Sequence, residues 1–479
     1  MSNPTANFAP FESKCRSAGL TEAAIAAFRH NYEQLAAGAT GLVPEDEIEA
    51  VSNLPYLNDM SEPEPSKVKP LLSRTAVLKL NGGLGTSMGL EKAKSLLVVK
   101  DKHSFLDLIA LQIKHMRAAF DSKVRFILMN SFSTSEDTRA FLAQHHPDLL
   151  KEAHIELMQN KSPKVDAASL GPASYPSHPD NEWCPPGHGD IYPSLLGSGM
   201  LEQLLGEGVR YLFVSNSDNL GACLDLTLLS YFADSGKAFV MEVCERSAAD
   251  KKGGHLCQRK ADGSLILRES AQCPEADKAA FEDIDKHRFF NTNNLYVDLE
   301  QLKARLEECG GLLRLPLIKN KKTVNPRDSK SPPVFQLETA MGSAIECFNN
   351  TGAVVVPRSR FAPVKTCADL LVLRSDCYTI HENATVGAAV DKLPLVKLDD
   401  AHYKLVDQLE ALVPPGEEPS LLQASALTVK GPVKFTKGVT VVGSVTFQAA
   451  PGSSSPASLA AGTYTDTTLT VGEPALVPA

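Results

Sequence analysis

Residues 78–95, LKLNGGLGTSMGLEKAKS, set four glycines and then Lys92 and Lys94 directly behind an apolar run. Glycine lets the backbone turn sharply and lets amide N–H groups approach an anion, so a loop of this type after a strand can cradle phosphate. The spacing fits neither of two common cradles. A dinucleotide fingerprint needs G-x-G-x-x-G, whereas Gly83-x-Gly85 is followed by Gly89 four positions later. A Walker loop needs G-x-x-x-x-G-K-[ST], but Ala93 precedes Lys94-Ser95. A tight strand-to-helix turn is the other reading. Further on, SNSDNLG (215–221) puts the Asp218 carboxylate at a strand's carboxyl end. Such a group is a natural Mg²⁺ ligand, because a hard cation takes few protein oxygens and shares the rest with phosphate and water. An Asx-turn or helix cap is the rival there. In PPGHGD (185–190), two prolines stiffen the chain and two glycines bracket His188, an imidazole in a polar loop with no core to satisfy.

The elements that must position these residues alternate in type. Apolar runs at 75–80, 124–129, 154–158, 210–215 and 238–244 have strand length and β-branched or aromatic content. Helix-like segments separate most of them, the clearest from Ser104 to Phe120, where Ser104 and Asp107 approximate a capping box. Alternation predicts an α/β fold with a mostly parallel sheet covered on both faces and ligands beyond its carboxyl ends. An amphipathic helix is expected from Leu20 onward, capped by Thr21, and SEPEPSKVKP (61–70) reads as an extended connector. The stretch 162–190, with six prolines, reads as a binding loop or lid. Short strands over 425–447 fit a small β-solenoid or β-meander, and 449–462 reads as a flexible low-complexity loop.

A chain of 479 residues is long enough for two or three domains. With 48 Lys plus Arg against 57 Asp plus Glu, its net charge of −9 and lack of a basic block argue against nucleic-acid binding. The ten cysteines include no C-x-x-C pair, as expected of reduced thiols. The start lacks a basic, then apolar, leader, and no run of roughly 18 apolar residues occurs. A soluble cytoplasmic protein with no membrane partner is therefore expected.

The run L-N-G-G-L-G-T-x-M-G with A-K-S, followed in order by the segments at 158–160, 185–190, 215–221, 252–255, 268–272, 290–294, 336–342 and 360–366, closely resembles the UDP-glucose pyrophosphorylases (UTP–glucose-1-phosphate uridylyltransferases) over about residues 70–447. The resemblance implies a central mixed, mostly parallel nucleotide-binding sheet flanked by helices, Rossmann-like. A helical N-terminal extension (1–60) would precede the catalytic domain (61–385). A left-handed parallel β-helix domain with a flexible tail (386–479) would follow.

It also implies residue roles. Leu80, Asn81, Gly82 and Gly83 would form the uridine-binding turn, with Gln159 pairing uracil through its amide and Pro186 and Gly187 beside the base. Lys94, Asn216, Ser217, Asp218 and Lys365 would serve the nucleotide, with Asp218 holding Mg²⁺. His188, Gly254, Glu269 and Asn293 would face the sugar. Lys365, Lys94, His188 and Asp218 would form the catalytic group. The implied reaction joins UTP and glucose 1-phosphate into UDP-glucose and pyrophosphate, reversibly, in a monomer or homo-oligomer. A broad-specificity UDP-sugar pyrophosphorylase and a non-catalytic nucleotide-sugar sensor are the alternatives. Ser87-Met88 in place of Arg-Leu disfavours relatives acting on N-acetylhexosamine phosphates.

Overall fold

The computed structural model describes residues 8–450, 452 and 455–472. Ten strands form the central sheet: β1 (Ile48–Ala50), β2 (Thr75–Leu80), β3 (Arg125–Asn130), β4 (Glu156–Met158), β5 (Tyr211–Asn216), β6 (Phe239–Glu245), β7 (His255–Arg259), β8 (Leu265–Arg268), β9 (Phe289–Asp298) and β10 (Thr351–Val355). The main order is β1-β7-β9-β5-β2-β3-β4; β6 pairs β9 and β10, and β8 pairs β7. Strands β5, β2, β3 and β4 run parallel, and the near-continuous burial of β5, β2 and β3 is what a sheet covered on both faces requires. Strand β9 runs antiparallel to β5, making the sheet mixed.

The register aligns one edge of the sheet. Asn216 lies opposite Leu80, Leu80 opposite Met129, and Asn130 opposite Met158, so four parallel strands finish level. Because Val214 pairs Leu295 in reverse direction, residues 289–292 of β9 run on past the end of β5 into the same edge. All the expected central strands form within about two residues of their expected bounds.

The first four α-helices are α1 (Ala9–Ser17), α2 (Glu22–Ala36), α3 (Pro65–Ser73) and α4 (Phe105–Ala119). Thr21 caps α2 by accepting from Ala24 N, and Ser104 with Asp107 completes a reciprocal capping box on α4. Helix α4 buries Leu108, Ile109 and Ile113 under the sheet, each contributing about 1.5–3 kcal/mol. Among the described residues, no helix is long and apolar enough to cross a membrane.

Two expectations are corrected, and one that left two forms open is decided. The connector at 61–70 turns helical at Pro65, because proline's missing N–H costs nothing in a first turn and Val68 and Leu72, four apart, are buried together. Pro70 gives up one intrahelical bond, which that burial offsets. Residues 425–447 hold no meander: Leu395–Leu398, Ser420–Lys430, Val439–Ala449, Gly462–Thr465 and Thr468–Val471 pair entirely in parallel, and two of these strands are eleven residues long. In the loop expected at 449–462, Ala457–Ser458 pairs in parallel with Val433–Lys434. Residues 451, 453 and 454 of that loop, and the tail 473–479, lie outside the described residues.

The long stretch 162–190 is tethered at several points. Ser162–Pro163 pairs with Cys184–Trp183, Val165–Asp166 pairs with Phe335–Val334, and Lys14 of α1 pairs with Glu182. Packing of Phe8, Phe11, Phe28 and Tyr32 against Val165, Leu317 and Leu337 holds the N-terminal helices onto it.

Candidate active site

Each parallel strand hands its ladder on by one residue before the chain turns. Asn81 N donates to Met129 O (2.8 Å), and Gln159 N donates to Asn130 O (2.7 Å). The Asn81 side chain points inward, donating to Asn130 Oδ1 (2.6 Å) and Thr138 Oγ1 (2.9 Å). Leu80 O accepts from Ser217 Oγ (2.8 Å), and Gly82 O accepts from Ser131 Oγ (2.9 Å). The turn at 80–83 is thereby fixed by the serines that directly follow the two flanking strands. A Cβ on Gly82 would lie 2.8 Å from Gln159 Oε1, so the bare backbone is what lets the amide sit there. Gln159 Nε2 in turn donates to Gly187 O (3.0 Å), which brings 82, 159 and 187 into one group.

The PPGHGD run is held by residues 339–341. Thr339 N donates to Pro186 O (3.0 Å), and Gly189 N donates to Thr339 O (2.9 Å). Gly187, at φ +82°, has no room for a side chain against the Thr339 carbonyl. Met341 N donates to His188 Nδ1 (2.9 Å). Burial pushes the imidazole down to about 4, so near neutral pH it is uncharged, with Nδ1 the acceptor and Nε2 carrying the proton. Behind it, Asp190 accepts from Asn160 N (2.7 Å) and Ser194 Oγ (2.8 Å); burial nevertheless raises its carboxyl to about 6.

The Gly-rich loop closes on itself when Lys94 N donates to Gly83 O (3.1 Å). This brings Lys94 Nζ within 2.7 Å of Asp218 Oδ2, across 124 residues of sequence. Asn216 ends β5, partly buried, just before that aspartate. The 216–222 loop rests on Lys79, whose buried ammonium donates to Ser215 Oγ (2.7 Å) and Ala222 O (2.6 Å) and is pushed by burial down to about 8. Asn219 Oδ1 accepts from Ala362 N (3.0 Å), Asn219 Nδ2 donates to Arg360 O (3.0 Å), and Val364 N donates to Asp218 O (3.2 Å). Gly221 lies so near the Ser359 carbonyl that a Cβ would collide with it. The segment 359–365 is therefore docked on the Asp218 loop, and Lys365, exposed, is carried to the sheet edge by it.

The remaining sequence-derived positions sit on the antiparallel part of the sheet. Strands β7 and β8 pair His255 with Arg268, so Gly254 and Glu269 face one another, and a Cβ on Gly254 would strike the Glu269 carboxylate. Burial raises the Glu269 carboxyl, and the nearby positive charge of Lys365 opposes the rise. The asparagine-rich run forms a bulge inside β9: its pairing with β6 jumps from Leu295–Met241 to Asn291–Val243. Asn293 there has φ +60° and exchanges hydrogen bonds with Asn291 (2.8 and 2.9 Å). Asn291 Nδ2 lies 2.8 Å from where a Gly342 Cβ would stand, which links this bulge to the segment holding His188.

Glu242 was not singled out from the sequence. Fully buried, it takes a two-pronged pair from Arg360 (2.6 and 2.8 Å) and accepts from Asn294 Nδ2 (2.9 Å), so it joins the bulge to the segment of Lys365. The signal was a carboxylate in the middle of the apolar run FVMEVC. Lys79, alone in TAVLKL, carried the same kind of signal.

A family model described as UTP–glucose-1-phosphate uridylyltransferase matches residues 25–442. The UTP–glucose-1-phosphate uridylyltransferase of Encephalitozoon cuniculi is 42% identical over 388 residues, covering 80% of this chain and 75% of its own. That of Saccharomyces cerevisiae is 41% identical over 378 residues, covering 78% and 74%. A variant of the Leishmania major UDP-glucose pyrophosphorylase, solved in complex with UDP-glucose, superposes with a TM-score of 0.90 at 45% identity, over 97% of this chain and 99% of its own. A Trypanosoma brucei structure titled UDP-glucose phosphorylase gives 0.87 and 45%, over 97% and 100%. With a family model spanning most of its length and relatives above 40% identity, the chain belongs to the UTP–glucose-1-phosphate uridylyltransferase family.

Proposed function

We propose that the protein catalyses the reversible formation of UDP-glucose and pyrophosphate from UTP and glucose 1-phosphate. The observation that carries this reading is the meeting of Lys94, Asp218 and the docked Lys365 segment at one level edge of the sheet. A phosphate oxygen of glucose 1-phosphate forms the new bond to the α-phosphorus of UTP, and the α–β bridging bond breaks to release pyrophosphate. No protein nucleophile is needed; the chain must align two polyanions and offset their charge.

Leu80, Asn81, Gly82 and Gly83 form the uracil turn in this reading, Asn81 by fixing the backbone from behind. Gln159 reads the base edge through its amide, beside Pro186 and Gly187. Asn216 and Ser217 shape the floor under the nucleotide, and Lys94 and Lys365 offset charge on the transferring and leaving phosphates. Neutral His188 donates from Nε2 toward the sugar phosphate. Gly254, Glu269 and Asn293 take the glucose hydroxyls, a task suited to short amides and carboxylates.

Mg²⁺ is the inferred cofactor, with Asp218 as its protein ligand. Among the described residues no group of three or more His, Cys, Asp or Glu could hold a metal. One carboxylate still fits Mg²⁺, which is bound through one or two protein carboxylates together with phosphates and water. When bound it would neutralise charge on the phosphate oxygens.

The finer architecture belongs to the same reading: a helical extension over 1–60, a catalytic domain over 61–385 and a left-handed parallel β-helix over 386–479, in a cytoplasmic enzyme. Pyrophosphate release from UTP, ATP and dTTP against a panel of sugar 1-phosphates with Mg²⁺ tests the function. Turnover confined to UTP with glucose 1-phosphate is expected. Equal turnover with galactose 1-phosphate moves the reading to broad specificity, and none overturns it.

A further inference from the structure

Behind Gly254 and Glu269 lies a buried cluster of basic side chains that the proposed chemistry does not use. Arg268 and His255, the residues adjoining those two on β8 and β7, are fully buried, as is His287. His255 and His287 stack with ring centroids 3.9 Å apart, and neither ring nitrogen of His255 has a hydrogen-bond partner. Arg246 fills the next position and spends its guanidinium on the carbonyls of Phe281 (2.9 Å), His287 (3.1 Å) and Lys251 (2.7 Å). A guanidinium as buried as that of Arg268 requires a counter-charge.

The main one comes from far away in sequence. Glu45 Oε2 accepts from Arg268 Nη1 (2.5 Å), and its Oε1 accepts from His287 Nε2 (2.9 Å) and Lys286 Nζ (2.6 Å). Asp277 adds a longer contact to Arg268 Nη2 (3.4 Å) and caps Glu45 N (2.8 Å). The chain around Glu45 is zipped onto the same hairpin. Val43 N donates to Gln272 O (2.7 Å), β1 pairs Ile48 with Arg259 and Ala50 with Cys257, and Val43 and Ile48 pack on Cys257 and Ile266.

We infer that Glu45 is a positioning residue for the sugar side of the site: by anchoring Arg268 and His287 it sets the end of the β7–β8 hairpin, and hence the separation of Gly254 from Glu269. Since Glu269 follows Arg268 directly, a guanidinium released from Glu45 displaces that carboxylate. Nothing in this contact touches the turn at 80–83, Gln159 or Asp218. The expected defect is therefore one-sided. The inference rests on the proposed sugar role of Gly254 and Glu269.

The test measures steady-state kinetics of the full-length enzyme with UTP and glucose 1-phosphate varied in turn. Glu45→Gln keeps the size and acceptor but removes the charge; it should raise KM for glucose 1-phosphate about tenfold, while kcat and KM for UTP stay within about twofold. Lys286→Met removes only a half-exposed partner of Glu45 and should move the same constant about twofold in the same direction. It decides the matter alone if Glu45→Gln does not fold. Glu269→Ala, run in parallel, should raise that KM further. An effect there, with KM for glucose 1-phosphate unmoved in the Glu45 and Lys286 variants, overturns the positioning role, as does an equal rise in KM for UTP. No effect in Glu269→Ala overturns the sugar-side reading itself and the Glu45 inference with it.

Discussion

The two sides of the site are built by opposite means. The side of Gly82, Gln159 and Gly187 hangs on parallel strands that end level: Gly82 and Gln159 directly follow two of them, and Gly187 is joined to Gln159 by a hydrogen bond. The side of Gly254, Glu269 and Asn293 hangs on a hairpin and a bulged antiparallel strand, braced by Glu45 and Glu242 from distant segments. Their carboxylates differ accordingly. Asp190, buried behind His188 and facing only neutral donors, is raised to about 6. For Glu45, burial alone would raise the carboxyl, but hydrogen bonds from Lys286, His287 and Arg268 outweigh it and hold it down to about 2. A side built on strand ends tolerates a carboxylate held by neutral donors alone. A side built on a hairpin is pinned by charge.

The largest effect should come from the two lysines where the sides meet. Lys94→Ala or Lys365→Ala should lower kcat by roughly two orders of magnitude, the scale of losing one preorganised donor. Lys365→Ala should also weaken glucose 1-phosphate, because its charge acts on Glu269. Near-normal pyrophosphate release from either folded variant would remove that lysine from the proposed machinery. Gly187→Ala should separate the sides next. Its Cβ meets the Thr339 carbonyl at a left-handed φ, so stability should fall by about 1–3 kcal/mol and KM for UTP should rise about tenfold, with little change in KM for the sugar phosphate. Equal changes in both constants would dissolve the comparison.

Asp190 supplies a pH test. Its folded-state value, about 6, lies above 3.8, so the folded protein holds this proton more tightly than the unfolded chain. The contribution is fully present below pH 3.8 and is lost as pH rises through 6. Urea midpoints of Asp190→Asn should accordingly show a weaker decline between pH 4 and pH 6 than wild type, and parallel curves would count against a buried, protonatable brace. For Glu45 the sign reverses: its contribution is present above 4.5 and lost as pH falls through 2. The smallest effect belongs to Ser217→Ala. Losing the bond to Leu80 O should cost about 1 kcal/mol by urea unfolding and leave kcat within about threefold.

Much of the side holding Gly82 and Gln159 was legible in the sequence, because its residues follow their strands at short spacing. Asp218 after YLFVSN and Gln159 after ELM needed only a strand to end there. The proline-bearing segment 61–70 misled because proline usually breaks helices, and burial of Val68 and Leu72 was invisible without the core. The run NTNN forms a bulge, which only the register of β6 against β9 decides. Glu45 sits in the acidic run EDE, which reads as a solvated face.

The sequence by itself determined the alternating strands and helices, the glycines that leave room at 82, 187 and 254, and the family to which their order points. Those are local properties: periodicity, the absence of a Cβ, the chemistry of one side chain. Tertiary structure alone decided that Lys94 meets Asp218, that the 359–365 segment docks on Asn219, and that Glu45 neutralises Arg268. Those contacts span from 124 to 223 residues of chain. A buried charge takes its partner from whichever segment the packing brings near, and spacing along the chain carries no record of that choice.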